Sequence, residues 1–424
     1  MRPLVGYRIG CLAFLLSTFS IPVTAADWQQ FRGPGGQGAS TEKGIPARFS
    51  ADENVAWKKE LPGPGASSPI VVGDRVIVTS YSGYGRDVEK AGEMEDLRLW
   101  VVAMRASDGE SLWKREISPR LPESEEVRDH GYAAPTPASD GKAIFAFFGK
   151  SGVIKLSLDG DILWQKTVGD ETHGWGCGTS PVLYDNLVIV NASVESGSLV
   201  ALDKGTGNEV WRAPGMRESW NTPHLVELEG GKKELVVSVQ GWILGFDPAT
   251  GRELWRAKGI DDYVCPSVVS KDGIVYATGG RSSRVVAVRA GGRGNVTSSH
   301  RLWEARTGAN VSSPVIHDGH LYGVSDRTPV AYCVRLSDGE VVFSERVNVQ
   351  PYASSVLIDG KLFVVTRREG VLVLAAKPAF EVIARNRLDD RTTFDASPAV
   401  ADGKLFVRSN RHLWAISDKR RASE

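Results

Sequence analysis

Cysteine is scarce in this chain: four in 424 residues, at Cys11, Cys177, Cys265 and Cys333. The three outside the N-terminal segment are too few, and odd in number, to staple a domain of this length. A hydrophobic core must hold it. No Cys-x-x-Cys-His occurs, which removes covalently attached haem. An excess of one charge is missing too, since 51 Lys and Arg face 51 Asp and Glu. Without a clustered positive field, no nucleic-acid partner is expected. There is no Gly-x-Ser-x-Gly elbow for a nucleophilic serine. The glycine-rich runs at residues 33–36 and 291–294 do not join a strand to a helix, so neither reads as a phosphate loop.

Long hydrophobic runs are also lacking, with one exception. Residues 9–21 are apolar, follow Arg2 and Arg8, and precede the small residues Val23, Thr24 and Ala25. This pattern reads as a signal peptide over residues 1–26, too short to span a bilayer. The alternative is an uncleaved anchor. Cys11 lies inside the apolar run, which disfavours a lipid anchor at that thiol. The expectation is an exported protein, periplasmic or extracellular, with no membrane span. Sequons at Asn191, Asn295 and Asn310 matter only in a eukaryotic secretory route.

What the chain does have is one phrase repeated: Ala-x-Asp-x-x-Thr-Gly-x-x-x-Trp. Its cleanest copy is Ala201, Asp203, Thr206, Gly207, Trp211, and the next is Gly245, Asp247, Thr250, Gly251, Trp255. Weaker copies end at Trp113, Trp164, Trp303 and Phe343. Each unit opens on Ser-Pro or Thr-Pro, then alternating strands follow with Asp-Gly type turns. The opening prolines are Pro69, Pro137, Pro181, Pro223, Pro266, Pro314 and Pro398, with Ser355 in the seventh slot. A repeat of roughly 40–50 residues denotes a propeller, solenoid or array.

Eight units result, and the last stops before its fourth strand. Residues 53–61, with Trp57, carry the missing fourth-strand pattern. The expected fold is therefore an all-β, eight-bladed β-propeller of four-stranded antiparallel blades, closed by an N-terminal strand. A linear solenoid would instead cap both ends. The domain plan is a signal peptide (1–26), a turn-rich segment (27–52), the propeller (53–418) and a tail (419–424). Two charged inserts, residues 82–98 and 118–132, read as surface loops, and residues 291–299 as a smaller flexible one. Trp57, Trp113, Trp164, Trp211, Trp255, Trp303 and Phe343 are read as structural: a large ring fills the wedge between twisted blades, and an indole N–H can reach a neighbouring carbonyl.

The repeated phrase resembles the tryptophan-docking motif of the quinoprotein alcohol dehydrogenase-like superfamily, the PQQ-like (pyrroloquinoline quinone) β-propeller repeat proteins. The likeness covers nearly all of the mature chain. The superfamily includes quinone-dependent dehydrogenases and non-enzymatic members, notably the propeller lipoprotein of the outer-membrane barrel assembly machine. The opening Asp27-Trp28-Gln29-Gln30-Phe31-Arg32-Gly33-Pro34 also resembles the start of many secreted PQQ-like repeat proteins. The dehydrogenases commonly carry adjacent cysteines over the quinone and hold Ca²⁺ with a Glu, an Asn and an Asp. No two cysteines here are adjacent, and that constellation cannot be placed on this chain. PQQ with Ca²⁺ is thus a possible cofactor without support, and no catalytic or metal-binding residue is assigned.

Any site should lie where the loops entering each first strand converge on the channel. The residues there are rich in aromatic and hydrogen-bonding groups: His130 and Tyr132; His173, Trp175 and Cys177; Glu218, Trp220 and Asn221; Asp262, Tyr263 and Cys265; Asn310; Tyr352; and Asp395. Of these, His130, Tyr132, His173, Trp175, Trp220, Asn221, Tyr263, Asn310, Tyr352 and Asp395 are the candidate ligand-binding set. The alternative is that they plug the channel. A metal held by His130 and His173 matches no ligand spacing, and Cys177 and Cys265, the alternative thiol nucleophiles beside His173, read as small buried cysteines. The leading function is non-catalytic binding or scaffolding in the cell envelope, with an envelope protein or small ligand as partner. The alternative is a quinone-dependent oxidoreductase acting on alcohols or sugars.

Overall fold

The structure, a computed structural model, describes residues 27–85, 90–128 and 130–418. The signal-peptide reading and the C-terminal tail fall outside these residues. The described chain forms eight antiparallel sheets arranged as the blades of a propeller. Counted by their strands, the first seven blades begin at Ile70, Ala138, Val182, His224, Val269, Val315 and Val356. The eighth takes Ala399–Ala401, Lys404–Arg408 and His412–Ile416 from the C-terminus, and its fourth strand, Val55–Glu60, from the N-terminus. That strand pairs antiparallel with the last one, Trp57 opposite Ala415 and Glu60 opposite His412. The ring is closed by pairing across the termini, as the split repeat predicts.

Position within a blade explains the residue pattern. Second and third strands are sandwiched between neighbouring blades, so both faces are covered. Leu187–Ala192 is buried at every position, and in Ser198–Asp203 only the last residue is partly open. Such strands read as unbroken apolar runs. The fourth strand keeps one face to solvent and alternates. In Glu209–Pro214, Trp211 and Ala213 are buried while Glu209 and Arg212 are exposed.

Two contacts hold neighbouring blades together. At the outer edge, the fourth-strand indole of one blade donates to a main-chain carbonyl in the next: Trp57 to Ala106, Trp113 to Leu158, Trp164 to Lys204, Trp211 to Pro248 and Trp303 to Leu336, at 2.9–3.2 Å. Each ring lies on the turn glycine of that next blade. A Cβ on Gly251 would stand 2.3 Å from the Trp211 ring, and Gly251 also sits at φ +69°. The glycine of the repeated phrase thus makes the turn and leaves a bare surface for the neighbour's indole.

Trp255 departs from this pattern. Its indole donates 2.6 Å to the buried Glu234 carboxylate of its own blade, and the ring folds over Gly245. The cause is the insert in the next blade. Gly294 and Asn295 pair in parallel with Trp255 and Arg256, adding a fifth strand to blade four. The Gly291 amide and the Arg293 guanidinium join Glu234 at 3.0 and 3.2 Å. The insert read as flexible is hydrogen-bonded in place and takes the turn's role. Phe343, with no N–H to give, packs edge-on against Phe380 at 5.9 Å.

Near the axis, a belt of hydroxyls makes the second contact. From blade one to blade eight the amide of one belt residue donates to the hydroxyl of the next blade's: Ser68 to Thr136, then Ser180, Thr222, Ser267, Ser313, Ser354 and Ser397, all at 2.9–3.0 Å. The belt corrects one register. Pro266 precedes its belt residue, Ser267, whereas every other opening proline follows a belt serine or threonine, so the matching slot in blade five is Val268.

Because the ring transmits each blade's packing to its neighbours, Trp57→Ala and Trp211→Ala should each cost about 3–5 kcal/mol. Urea unfolding should show midpoints falling similarly for both, although Trp57 belongs to a terminal strand that a frayed end would leave expendable.

Candidate functional site at the channel mouth

The belt surrounds a cavity of about 360 Å³ on the propeller axis. All eight blades supply part of its wall. Its floor is the N-terminal segment. Phe31 lines the cavity, and Arg32 beside it is fully buried. The Arg32 guanidinium donates to the carbonyls of Gly36, Gln37, Ser313 and Pro314. Burial lowers its pKa to about 9. Residues 28–40 are fastened to several blades. Trp28 bridges to Val71, Ala39 and Ser40 pair in parallel with Leu357 and Ile358, and Gln37 donates 2.9 Å to the Ser270 carbonyl. The channel is therefore a blind pocket, open at the mouth.

One wall of the mouth is aromatic. Trp175 lies 5.1 Å from Trp220 and 4.8 Å from Tyr263, measured between ring centroids. His173 packs behind them, 5.7 Å from Trp175 and 5.2 Å from Trp220. The Trp220 indole donates to the Gly176 carbonyl at 2.9 Å, which fixes its plane. The opposite wall is polar. His130 Nδ1 and the Tyr352 hydroxyl are 3.2 Å apart. Arg367 lies over the Tyr352 ring at 4.9 Å and bridges to Asp395 at 2.8 Å. Thr393 donates to the other Asp395 oxygen at 2.7 Å. Asp326 accepts the Asn310 and Val311 amides at 2.8 and 2.9 Å.

Of the ten candidate residues, the structure brings His130, Trp175, Trp220, Tyr263, Asn310, Tyr352 and Asp395 to this cavity. The other three lie elsewhere. Asn221 is buried and spends its amide on the Ser238 carbonyl and the Ser219 hydroxyl. Tyr132 packs on Tyr81 and Tyr84 and donates to the Ser124 carbonyl. His173 lines a separate small cavity with Tyr132 and Cys177. Phe31, Arg128, Asp326, Gln350 and Arg367 also line the cavity, and their residue types alone do not mark them in the sequence. Asp326 and Arg367 lie just beyond the second strands of blades six and seven, at the same end as the entry loops. Charged residues at that repeat position are the signal that could have found them.

The residues present do not suit a Ca²⁺-bound quinone. Among the described residues no glutamate lines the cavity, and its two carboxylates have structural partners: one Asp326 oxygen accepts two backbone amides, and Asp395 pairs with Arg367 and Thr393. Among the described residues no cluster of three His, Cys, Asp or Glu side chains is placed to hold a metal ion. Neither Cys265 at the mouth nor Cys177 in the small cavity is poised as a nucleophile. Burial pushes the Cys265 thiol up to about 12 and raises Cys177 as well.

Several known proteins share this fold. The family model described as outer membrane protein assembly factor BamB matches residues 97–345, more than half of the chain. The chain belongs to this family. A search of curated proteins finds no match. Among solved structures, BamB from Moraxella catarrhalis is 14% identical with a TM-score of 0.59, over 85% of this chain and 99% of that one. A quinohemoprotein alcohol dehydrogenase from Pseudomonas putida HK5 is 11% identical with a TM-score of 0.58, over 92% and 80%. The computationally designed Ika8 protein is 10% identical with a TM-score of 0.57, over 84% and 98%. A BamB, a dehydrogenase and a designed protein are about equally similar, so these likenesses speak for the propeller and not for an activity.

The small cavity beside the mouth contains a titratable device. Glu195 is 2% exposed, and one of its carboxylate oxygens has no partner. Burial raises its pKa to about 7, and Glu123 across the cavity is raised to about 7 for the same reason. The folded protein therefore holds these protons more tightly than the unfolded chain, whose carboxyls titrate at ~4.3. The resulting stability is full below that value and is lost as pH rises through 7. Glu195→Gln should remove on the order of 2 kcal/mol of this pH dependence. Urea midpoints at pH 5 and pH 8 should lie closer together in the variant than in the wild type.

Proposed function

We propose that this BamB-family propeller is a non-catalytic binding module of the cell envelope, exported by its N-terminal segment, whose ligand or partner enters the mouth of the blind axial pocket. The observation that carries this reading is the contrast between the two ends of the channel. One end is filled by the protein's own chain, with Arg32 sealed among carbonyls. The other holds an aromatic wall facing a hydrogen-bonded polar wall around a cavity within the ~300–1,000 Å³ range of ligand pockets. The envelope location rests on the family and on the signal-peptide pattern of residues 1–26. Among the described residues no helix is long and apolar enough to cross a membrane. Binding is favoured over turnover because the mouth carboxylates are committed to structural partners and the thiols are held protonated.

Two measurements test this reading. A photo-crosslinking residue in place of Arg128, at the exposed rim, should yield a specific adduct in the envelope of cells that naturally make the protein, whereas the same residue in place of Val210, on the outer edge of blade three, should not. Absence of a rim-specific adduct would contradict the mouth as the binding surface. Addition of PQQ and Ca²⁺ to the purified protein should give neither saturable tryptophan quenching nor dye reduction with an alcohol. Saturable binding with turnover would replace the binding module with an oxidoreductase.

A further inference from the structure

We infer that the mouth pocket takes a neutral carbohydrate, the end of an oligosaccharide chain, held by its C–H face against Trp175 and by its hydroxyls against the polar wall. This rests on the mouth being the binding surface. Four observations select this ligand class. First, the aromatic rings form a wall and not a cage. Trp175, Trp220 and Tyr263 touch one another at 4.8–6.3 Å between centroids, so no space remains among them for a quaternary ammonium, which needs rings disposed around it. What they offer is one faceted apolar surface, suited to the flat C–H face of a pyranose.

Second, the charges cancel. The cavity is lined by Arg128 and Arg367 and by Asp326 and Asp395. Arg367 is paired with Asp395, and Asp326 is held by two amides. An anionic ligand such as a tricarboxylate would find Arg128 as the one cation without an acidic partner among the described residues. Third, two residues with hydrogen-bonding side chains, Asn310 and Trp175, line the cavity. The Asn310 amide oxygen is buried without a partner, and the Trp175 indole N–H, on the aromatic side, has no protein acceptor among the described residues. A buried orphan acceptor is costly unless a ligand or water satisfies it. Hydroxyls, which both donate and accept, match a lining that offers both kinds of group. Fourth, Phe31 and the buried Arg32 close the bottom, so a chain cannot thread through. The pocket fits a terminus.

The test is titration of the full mature chain with neutral trisaccharides (cello-, malto-, xylo-, manno- and laminaritriose and triacetylchitotriose), read by tryptophan fluorescence and calorimetry. Trigalacturonic acid serves as the charged control. At least one neutral sugar should bind saturably and more tightly than the acid. Trp175→Ala should weaken it roughly tenfold or more. Asn310→Ala, which removes an acceptor but no packing ring, should weaken it without lowering the unfolding midpoint. Trp211→Phe, far from the mouth, should leave affinity unchanged. Preference for the acid, binding indifferent to both mouth variants, or no binding across the panel would overturn the carbohydrate assignment. If the rim crosslink at position 128 persists in that last case, the mouth remains the binding surface and only the ligand class falls. If it too is absent, both fall.

Discussion

A four-stranded blade has two apolar faces and cannot cover either by itself. Everything else in this protein follows from that constraint. Each blade must lie between two others, and the only arrangement that leaves no blade with a bare face is a closed ring. Closure cannot be made by a local turn. It depends on residues 55–60 reaching the strand at 412–416, so the two ends of the chain are held together by the same ladder that builds each blade. The indole-on-glycine contact at the rim and the hydroxyl belt at the axis then fix the spacing of the blades from outside and inside. Both are directional, one donor to one acceptor, which sets the rotation from each blade to the next.

A rigid ring leaves one place where side chains from every blade converge, and the N-terminal segment decides which end of it is usable. By laying residues 28–40 across one end, the chain converts a tunnel into a pocket. Arg32 shows how firmly. A guanidinium with no carboxylate partner is tolerated at full burial because several carbonyls receive its N–H groups. The mouth, in contrast, keeps aromatic faces and a lining amide, Asn310, whose buried oxygen has no protein partner. The floor is closed by the chain's own groups and the mouth is left open, which is the asymmetry expected of a binding surface.

The fold is legible in the sequence because its determinants repeat. Trp57 can be assigned to a terminal strand from the repeat pattern alone, since the eighth unit lacks a fourth strand and residues 53–61 supply it. Departures from the period are what the sequence hides. Pro266 aligns with the other prolines by its ring, while the working group of each entry is the hydroxyl beside the proline, and in blade five that is Ser267. Trp255 has the motif but docks on Glu234, because an insert elsewhere in the chain displaces its usual seat. The floor is invisible for the opposite reason: residues 28–40 carry no periodicity, so nothing distinguishes a plug from a linker. At the mouth, the aromatic residues stand out by type, whereas Arg128, Asp326 and Arg367 resemble ordinary surface charges until the topology brings their loops to the axis. Asn221 is the reverse case, a polar residue in the right loop whose amide is consumed by its own backbone neighbours.

The twelve tryptophans of this chain divide into scaffold and site. Fluorine NMR of protein labelled with 5-fluorotryptophan, its resonances assigned by single substitutions, tests that division directly, with and without envelope extract from the cells that make it. The resonances of Trp175 and Trp220 should shift or broaden, while those of Trp57, Trp113, Trp164, Trp211 and Trp303 stay fixed. Shifts spread over the docking tryptophans, with Trp175 unmoved, would contradict the claim that this propeller acts through the mouth of its channel.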